Sequence, residues 1–227
     1  METNETHQIN PKSFEGVVND RPHNSIFIGR KGSGKSTLLV ELLCSKTAWY
    51  KRYSKVVIVS STFEHQYDTL WKRIHKQGVV VYDKLNDALL EHLMLDCKQN
   101  NHSMLVIMDD MSTQIRKNVD QNLVDKMVST SRHIGKGMSF VWLQQQLTQL
   151  STSIRTNADC YVIFGAVSYR EMDMIYGEMS VVDRKTFMKI FRSATQAQYN
   201  FLAITNHGGK LRFWDSFKKE IPIDWTL

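Results

Sequence analysis

Four residues separate Gly29 from the triplet Gly34-Lys35-Ser36, which is the complete Walker A pattern. Glycines let the backbone turn tightly and aim several N–H groups at one anion. The lysine of this pattern reaches the β- and γ-phosphates of a nucleotide, and the serine hydroxyl binds its magnesium ion. We therefore predict an ATP and Mg²⁺ site with Lys35 as a catalytic residue and Ser36 as a metal ligand. Its nucleotide-binding residues are Gly29, Arg30, Lys31, Gly32, Ser33, Gly34, Lys35, Ser36 and Thr37.

The surrounding stretch predicts the elements that must hold these residues. An apolar run, Ile26–Ile28, precedes the glycines, and a helix-forming run, residues 37–43, follows them. Strand, glycine loop and helix in this order are the context of a true phosphate loop, and the helix N-terminus adds a positive dipole end. The alternative is a glycine-rich turn with an incidental lysine.

Two adjacent acids, Asp109 and Asp110, end the apolar run Met104–Met108. This is a Walker B pattern, in which a buried strand delivers carboxylates to the sheet edge that also carries the phosphate loop. We predict that Asp109 holds Mg²⁺ and that Asp110 is the general base for an attacking water. The alternative is an Asp-Asp turn that caps the following helix.

A glutamine triplet, residues 144–146, follows another predicted strand, Met138–Leu143. A glutamine at the carboxyl end of that strand can hydrogen-bond the γ-phosphate or the attacking water and report the nucleotide state. We select Gln145 as the catalytic member of the triplet. The alternative is a polar strand exit without a role in chemistry.

Composition sets wider bounds. The chain has 227 residues, of which 42% are hydrophobic and 23% charged, as expected for one globular α/β domain. Its 29 Lys and Arg outnumber 23 Asp and Glu, which favours an anionic partner without proving one. Its three cysteines lie far apart and predict neither disulfides nor a zinc site. The N-terminus is polar and acidic, and no apolar run reaches membrane-spanning length, so we expect no membrane partner.

The predicted fold class is α/β, a P-loop NTPase of the ASCE, RecA-like type with a mainly parallel central sheet flanked by helices and a C-terminal β-hairpin. We expect one strand between the two Walker strands. Residues 1–23 are predicted to be an N-terminal arm and residues 24–227 a single P-loop ATPase domain. Further predicted elements are helices at residues 65–77, 86–98, 121–131, 169–176 and 182–191, and hairpin strands at residues 199–204 and 210–214.

Several motifs together resemble the FtsK–HerA-type packaging ATPases of double-stranded DNA viruses, including poxviruses, other large nucleocytoplasmic DNA viruses and virophages. The resemblance spans roughly residues 25–165, and its most specific part is the glutamine followed by Ile154-Arg-x-Asn-Ala-Asp159. The spacing to that block favours Gln145 over Gln144. The matching segments are residues 28–36, 59–62, 107–110, 132–133, 140–145 and 150–159.

The resemblance implies a motor that hydrolyses ATP to move double-stranded DNA, without regard to its sequence, into a capsid. It implies a homo-oligomeric ring, pentameric or hexameric, in which an arginine acts in trans, and Arg155 ranks ahead of Arg132 for that role. Basic residues on the 184–192 helix and the 207–212 turn are candidates for DNA contact. A capsid vertex protein is a further expected partner. The expected location is the viral factory in the host cytoplasm, with association with the virion as a second one.

Two other functions share the same loop. A P-loop nucleoside or nucleotide kinase would use several arginines around the phosphates and would not need Asp110. A slow nucleotide-dependent switch protein would bind ATP and barely hydrolyse it. Comparing DNA-stimulated ATP turnover with nucleoside phosphorylation separates the motor from the kinase.

Overall fold

A computed structural model of the protein describes residues 22–62, 74, 78–165, 167–179, 182–207 and 209–223. The strands in this part of the chain are β1 (Asn24–Ile28), β2 (Lys55–Val59), β3 (Val80–Tyr82), β4 (Met104–Asp109), β5 (Met138–Gln144), β6 (Cys160–Phe164), β7 (Phe201–His207), β8 (Lys210–Asp215) and β9 (Lys219–Ile221). The α-helices are α1 (Lys35–Cys44), α2 (Asp87–Gln99), α3 (Ser112–Asn118), α4 (Gln121–Thr130), α5 (Thr152–Thr156), α6 (Tyr169–Glu178) and α7 (Arg184–Ala194). Short 3-10 helices occupy Ser131–His133 and Leu147–Gln149.

The strands form one sheet in the order β3-β2-β4-β5-β1-β6-β7-β8-β9. The first six strands of this order are parallel to their neighbours, and β7, β8 and β9 extend the sheet in antiparallel fashion. The predicted α/β class, the mainly parallel sheet and the C-terminal hairpin are therefore confirmed. β5 lies between β1 and β4, as predicted, so three neighbouring strands bring the glycine loop, the two acids and the glutamines to one edge.

Both faces of the sheet are covered, which explains why its central strands are almost continuously apolar. In β1, Phe27 packs into a cluster with Leu39 and Leu43 of α1. Ile26 and Ile28 point to the other face, where residues of α2, α4, α6 and α7 bury their apolar sides. Because successive strand residues alternate between faces, the face that carries α1 is also the face towards which β4 directs Asp109.

Helix α2 matches the predicted helix at residues 86–98, which the sequence indicates through apolar residues at Leu89, Leu90, Leu93 and Leu95. Leu95 does not belong to the buried face, because 53% of its surface is exposed. Leu90, Leu93 and Cys97 are the buried residues, spaced three and four positions apart along one helical face. Asn86 begins the helix by accepting a hydrogen bond from the Leu89 N–H at 2.9 Å.

The other predicted elements have mixed outcomes. The predicted helix at residues 65–77 lies outside the described residues except for Ile74, which is buried. The C-terminal segment, for which the sequence predicts nothing, contributes β9 along the edge of β8.

Within the described residues, no helix is both long enough and apolar enough to cross a membrane. Cys97 and Cys160 are buried as free thiols.

His23 belongs to the folded domain. It is 2% exposed, its ring stacks on Trp49 with centroids 5.6 Å apart, and its nitrogens lie 2.8 Å from Ser25 Oγ and 2.9 Å from Tyr53 Oη. The predicted N-terminal arm lies outside the described residues up to position 21, so that boundary stays a prediction.

Candidate functional site

The glycine loop makes a compact turn between β1 and α1. The Gly29 N–H donates to the Gln144 carbonyl at 3.1 Å, and the Ser33 N–H donates to the Arg30 carbonyl at 3.1 Å. Gly32 and Gly34 have φ of +79° and +102°, which side-chain-bearing residues rarely adopt. A Cβ on Gly29 would lie 2.8 Å from Phe164 Cβ, so this position has no room for a side chain. The loop conformation therefore depends on its glycines.

The start of α1 is built to receive an anion. Gly34 caps the helix without a side chain, and no acidic residue occupies the first turn, so the first N–H groups stay open to a ligand. The Ser33 hydroxyl is buried in the loop and has no hydrogen-bond partner among the described residues. A buried donor without a partner is rare in proteins. These features fit a phosphate group held by the loop.

Lys35 lies inside the loop with 9% of its surface exposed. Its ammonium donates to the Gly29 carbonyl at 2.5 Å and to the Arg30 carbonyl at 3.1 Å. Burial lowers the pKa of this ammonium, and the nearby carboxylates of Asp109 and Asp110 oppose that effect. The structure thus places the Lys35 ammonium against the loop carbonyls and near the two acids, while its predicted contact with the phosphates stays a prediction.

Asp109 ends β4 and faces the phosphate loop. The Ser60 hydroxyl at the end of β2 donates to Asp109 Oδ2 at 3.2 Å. Burial raises the pKa of Asp109 to about 6, with a smaller upward contribution from Asp110, against the opposing effects of Ser60 and Lys35. A desolvated carboxylate beside an open cavity suits a divalent cation, which would restore its charged form.

Asp110 and Gln145 form a pair at the centre of the edge. The Gln145 amide donates to Asp110 Oδ2 at 2.7 Å. Asp110 has φ of +55°, a left-handed conformation that Asp tolerates better than most residues, and its N–H donates to the Leu143 carbonyl at 2.9 Å. The turn thereby directs the carboxylate towards Gln145 and away from the strand.

The structure shows that Gln144 and Gln145, which are adjacent in sequence, have different environments. Gln145 borders the cavity, whereas Gln144 is fully buried at the end of β5. Neither polar atom of the Gln144 side chain has a hydrogen-bond partner among the described residues. Strand alternation explains the difference, because consecutive residues point to opposite faces. The location of Gln145 agrees with the sequence analysis, while its catalytic role stays a prediction.

The two candidate arginines lie away from this edge. Arg155 is engaged within its own chain: Nε donates to Glu178 Oε1 at 2.7 Å, and Nη1 donates to the Leu150 carbonyl at 2.7 Å. Its side chain is 13% exposed. Arg132 makes an ion pair with Asp159 at 3.0 Å, and half of its side chain is exposed. A role in trans stays a prediction for both, and accessibility favours Arg132.

The loop, the acids and Gln145 surround one cavity of about 730 Å³. Gly29 and Arg30 are not among its lining residues and contribute instead the carbonyls that hold Lys35. Seven residues that line the cavity were not among the predicted site residues. Some follow the loop or a strand within the predicted elements, whereas Phe164, Tyr199 and Phe201 come from the distant β6–β7 region and match no local pattern. The seven are Leu38, Glu41, Thr62, Leu143, Phe164, Tyr199 and Phe201.

Solved structures of three other proteins share this architecture. The genome packaging NTPase B204 from Sulfolobus turreted icosahedral virus 2, in complex with ATPγS, is 21% identical, with a TM-score of 0.60 over 90% of this chain and 97% of B204. The pCW3 conjugation coupling protein TcpA with ATPγS is 13% identical, with a TM-score of 0.54 over 86% of this chain and 60% of TcpA. EssC (ATPases 2 and 3) from Geobacillus thermodenitrificans is 11% identical, with a TM-score of 0.53 over 89% of this chain and 41% of EssC. At these identities the likeness shows the fold.

Sequence comparison identifies the family. No match to this chain was found among curated protein sequences. The family model of the poxvirus A32 protein, however, matches residues 13–209, which include every element from β1 to β7 and all of the site residues described above. The chain therefore belongs to the poxvirus A32 protein family.

Proposed function

We propose that this protein is an ATP-hydrolysing motor that moves double-stranded DNA into a viral capsid. The observation that carries the proposal is that one cavity joins the anion cradle around Lys35, the Asp109 carboxylate and the hydrogen-bonded pair Asp110–Gln145. Membership of the poxvirus A32 family and the fold shared with B204, which is described as a genome packaging NTPase, support DNA packaging as the work that hydrolysis drives.

The same cavity fits a magnesium ion held together with the nucleotide. Ser36 contributes a hydroxyl and Asp109 a carboxylate to its lining, and Mg²⁺ prefers one or two such oxygens together with phosphates and water. When bound, Mg²⁺ neutralises phosphate charge and favours attack at the γ-phosphorus.

Hydrolysis then depends on the acid and the amide opposite the loop. The Asp110 carboxylate accepts a proton from a water whose oxygen bonds to the γ-phosphorus, while the bond from that phosphorus to the β–γ bridging oxygen breaks. ADP and phosphate are the products. The Gln145 amide, 2.7 Å from Asp110 Oδ2, fixes the orientation of the carboxylate and lies in the same cavity. Lys35 stabilises the negative charge on the phosphates.

A neighbouring subunit completes the site in this proposal. Lys31 and Lys35 are the cationic side chains among the described residues that line the cavity, and in ring motors an arginine from the neighbouring subunit can add to them. We assign that role to Arg132 ahead of Arg155, because Arg155 is enclosed and Arg132 is half exposed. A pentameric or hexameric ring would bring Arg132 to the cavity of the next subunit. The ring size and a capsid vertex partner stay predictions.

Mixing two inactive variants tests the action in trans. Arg132→Ala subunits retain Asp110, and Asp110→Asn subunits retain Arg132, so a mixed ring contains some complete sites. We expect each variant alone to be inactive and the mixture to regain part of the ATP turnover. Arg155→Ala mixed with Asp110→Asn is the matched comparison. If neither mixture recovers activity, an arginine acting in trans is excluded for these two positions.

The DNA-facing surface in this proposal includes the outer side of α7. Phe187 and Phe191 are buried on its inner side, whereas Lys185, Lys189 and Arg192 are exposed on the outer one. These cations follow a spacing of four and three residues, so they form one stripe along the helix. Contact with phosphates along such a stripe is insensitive to base sequence and sensitive to salt.

ATP turnover with and without double-stranded DNA tests the function as a whole. A DNA-translocating motor hydrolyses ATP faster when DNA is present, and replacing the α7 cations with glutamine should reduce that stimulation while preserving basal turnover. A kinase would instead transfer the γ-phosphate to a nucleoside, which an assay with labelled ATP detects. Basal turnover that DNA leaves unchanged would reject the motor.

A further inference from the structure

Tyr199 is one of the side chains of the cavity that have no part in the chemistry described so far. Tyr199 is 56% exposed and borders the cavity directly beside the phosphate loop. Its ring lies 3.4 Å from the point that a Cβ on Gly34 would occupy. The Tyr199 backbone has φ of +67°, a left-handed conformation that is rare for a bulky residue. Such conformations concentrate at ligand sites, where the surrounding structure holds them.

The surroundings of Tyr199 hold an aromatic surface in place. Phe164, at the end of β6, and Phe201, at the start of β7, line the same cavity, and their ring centroids are 5.2 Å apart. Phe201 also packs edge-on against buried Phe217 at 5.1 Å. The turn before β7 is closed by the Asn200 N–H, which donates to the Ala197 carbonyl at 3.2 Å. A flat apolar ligand group could therefore stack on Tyr199 beside the loop.

Glu41 is the second unexplained residue of the cavity. Thr37 and Glu41 lie four residues apart on one face of α1, and both line the cavity. Glu41 is half-buried and has no hydrogen-bond or ion-pair partner among the described residues. A carboxylate repels phosphates, so its presence here fits a hydrogen-bond donor farther along the ligand. It lies six residues beyond Lys35, roughly 9 Å along the helix axis.

We propose that Tyr199 and Glu41 form the base subsite of the nucleotide, with Tyr199 stacking on the purine ring and Glu41 accepting a hydrogen bond from the 6-amino group of adenine. The inference rests on the proposed function, in which the loop binds the triphosphate. Guanine carries a carbonyl oxygen in place of that amino group and would face the Glu41 carboxylate with like partial charge. The subsite therefore selects ATP over GTP.

The stacking role of the Tyr199 side chain is tested with one ligand that contains a base and one that does not. Calorimetry would measure the affinity of a non-hydrolysable ATP analogue and of inorganic tripolyphosphate, both with Mg²⁺. Tyr199→Asn removes the ring while keeping a residue that tolerates φ of +67°. We expect this variant to bind the ATP analogue about 5- to 150-fold more weakly, the usual range for a lost base–aromatic stack. Its affinity for tripolyphosphate should equal that of wild type. Tyr199→Phe should bind like wild type.

A second tyrosine provides the matched control. Tyr169, at the start of α6, is 68% exposed and lies outside the residues that line the cavity. Tyr169→Asn should leave both affinities at the wild-type level. Equal weakening of tripolyphosphate and the ATP analogue by Tyr199→Asn would overturn the stacking role, because the loss would then come from the loop. Unchanged affinity for both ligands would also overturn it.

The role of the Glu41 carboxylate is tested by comparing the affinities of an ATP analogue and a GTP analogue. Wild type should bind the ATP analogue more tightly than the GTP analogue, and Glu41→Gln should reduce that ratio roughly tenfold, because an amide can donate to the guanine oxygen. Equal affinity of wild type for both analogues would overturn the role of Glu41. Lys35→Ala separates this inference from the proposed function. If Lys35→Ala leaves tripolyphosphate binding intact, the triphosphate assignment of the loop itself fails.

Discussion

Replacing Asp110 with asparagine separates the chemistry of this residue from its backbone conformation. Asparagine is one of the few residues that adopt a φ near +55° readily, so the turn after β4 should keep its shape. Its amide oxygen can still accept the hydrogen bond from Gln145, which the native carboxylate accepts at 2.7 Å. Asp110→Asn therefore removes the proton acceptor and little else.

The expected size of the effect follows from that single loss. Removing a positioned general base lowers turnover by about 100- to 10,000-fold. ATP affinity should change little, because Asp110 accepts a proton from water and does not bind the phosphates. The unfolding temperature should stay within about 2 °C of wild type, because substitutions that preserve the local conformation change stability by roughly 0.5 kcal/mol or less.

Alanine at this position provides the structural comparison. Asp110→Ala removes the same carboxylate but places a residue with no preference for the left-handed region at φ of +55°. That conformation should destabilise the variant by about 1–2 kcal/mol, seen as a lower unfolding temperature in calorimetry. Asp110→Asn and Asp110→Ala should therefore have similarly low turnover and different stabilities.

Steady-state turnover with labelled ATP and calorimetric binding of a non-hydrolysable analogue are the two measurements. Turnover above about a tenth of wild type in Asp110→Asn would refute the assignment of Asp110 as the base. Low turnover together with lost ATP affinity would also contradict the proposed mechanism, because Asp110 would then be needed for ATP binding. Only low turnover with retained affinity agrees with the proposed mechanism.

Three further predictions follow from the site. Burial raises the pKa of Asp109 from 3.8 to about 6, so stability should fall as pH rises from about 4 to about 6. Asp109→Asn should therefore stabilise the metal-free protein at pH 8 by up to about 3 kcal/mol and should not do so at pH 4, as thermal unfolding at the two pH values would show. Gly29→Ala should abolish ATP binding in calorimetry, because its Cβ would lie 2.8 Å from Phe164 Cβ; retained affinity would mean that the loop can shift. Arg155→Ala should destabilise the fold by about 2 kcal/mol through loss of the 2.7 Å ion pair with Glu178, and Glu178→Ala should have a similar effect in chemical denaturation; an unchanged midpoint for both would show that the pair is not structural.

The parts of the site that could be predicted from the sequence are formed by residues that are adjacent along the chain. The phosphate loop and the acid pair each follow a strand within a few positions, so local pattern and strand alternation were enough to place Lys35 and Asp109. Alternation also separates Gln145 from Gln144, once the strand register is known. The parallel sheet was predictable for the same reason, because buried parallel strands are short and continuously apolar.

The rest of the site depends on contacts between distant segments. Tyr199 follows Gly34 by more than 160 residues, and no local pattern connects them. The partner of Arg155 is Glu178, at the far end of α6, so the sequence could not show that this arginine is enclosed. Leu95 is one of the apolar residues that predict helix α2, but the helical phase set by Leu90 and Leu93 turns it outwards.

The end of β5 has a consequence for how the site tolerates change. Two consecutive carbonyls on this strand hold the two halves of the site: Leu143 accepts the N–H of Asp110, and Gln144 accepts the N–H of Gly29. Consecutive Cα atoms are about 3.8 Å apart, a spacing fixed by covalent bonds. The acid and the phosphate loop are therefore both anchored to neighbouring residues of β5, whose spacing is covalent. Substitutions in the hydrophobic core, or divergence of the strands at the outer edges of the sheet, leave that spacing unchanged.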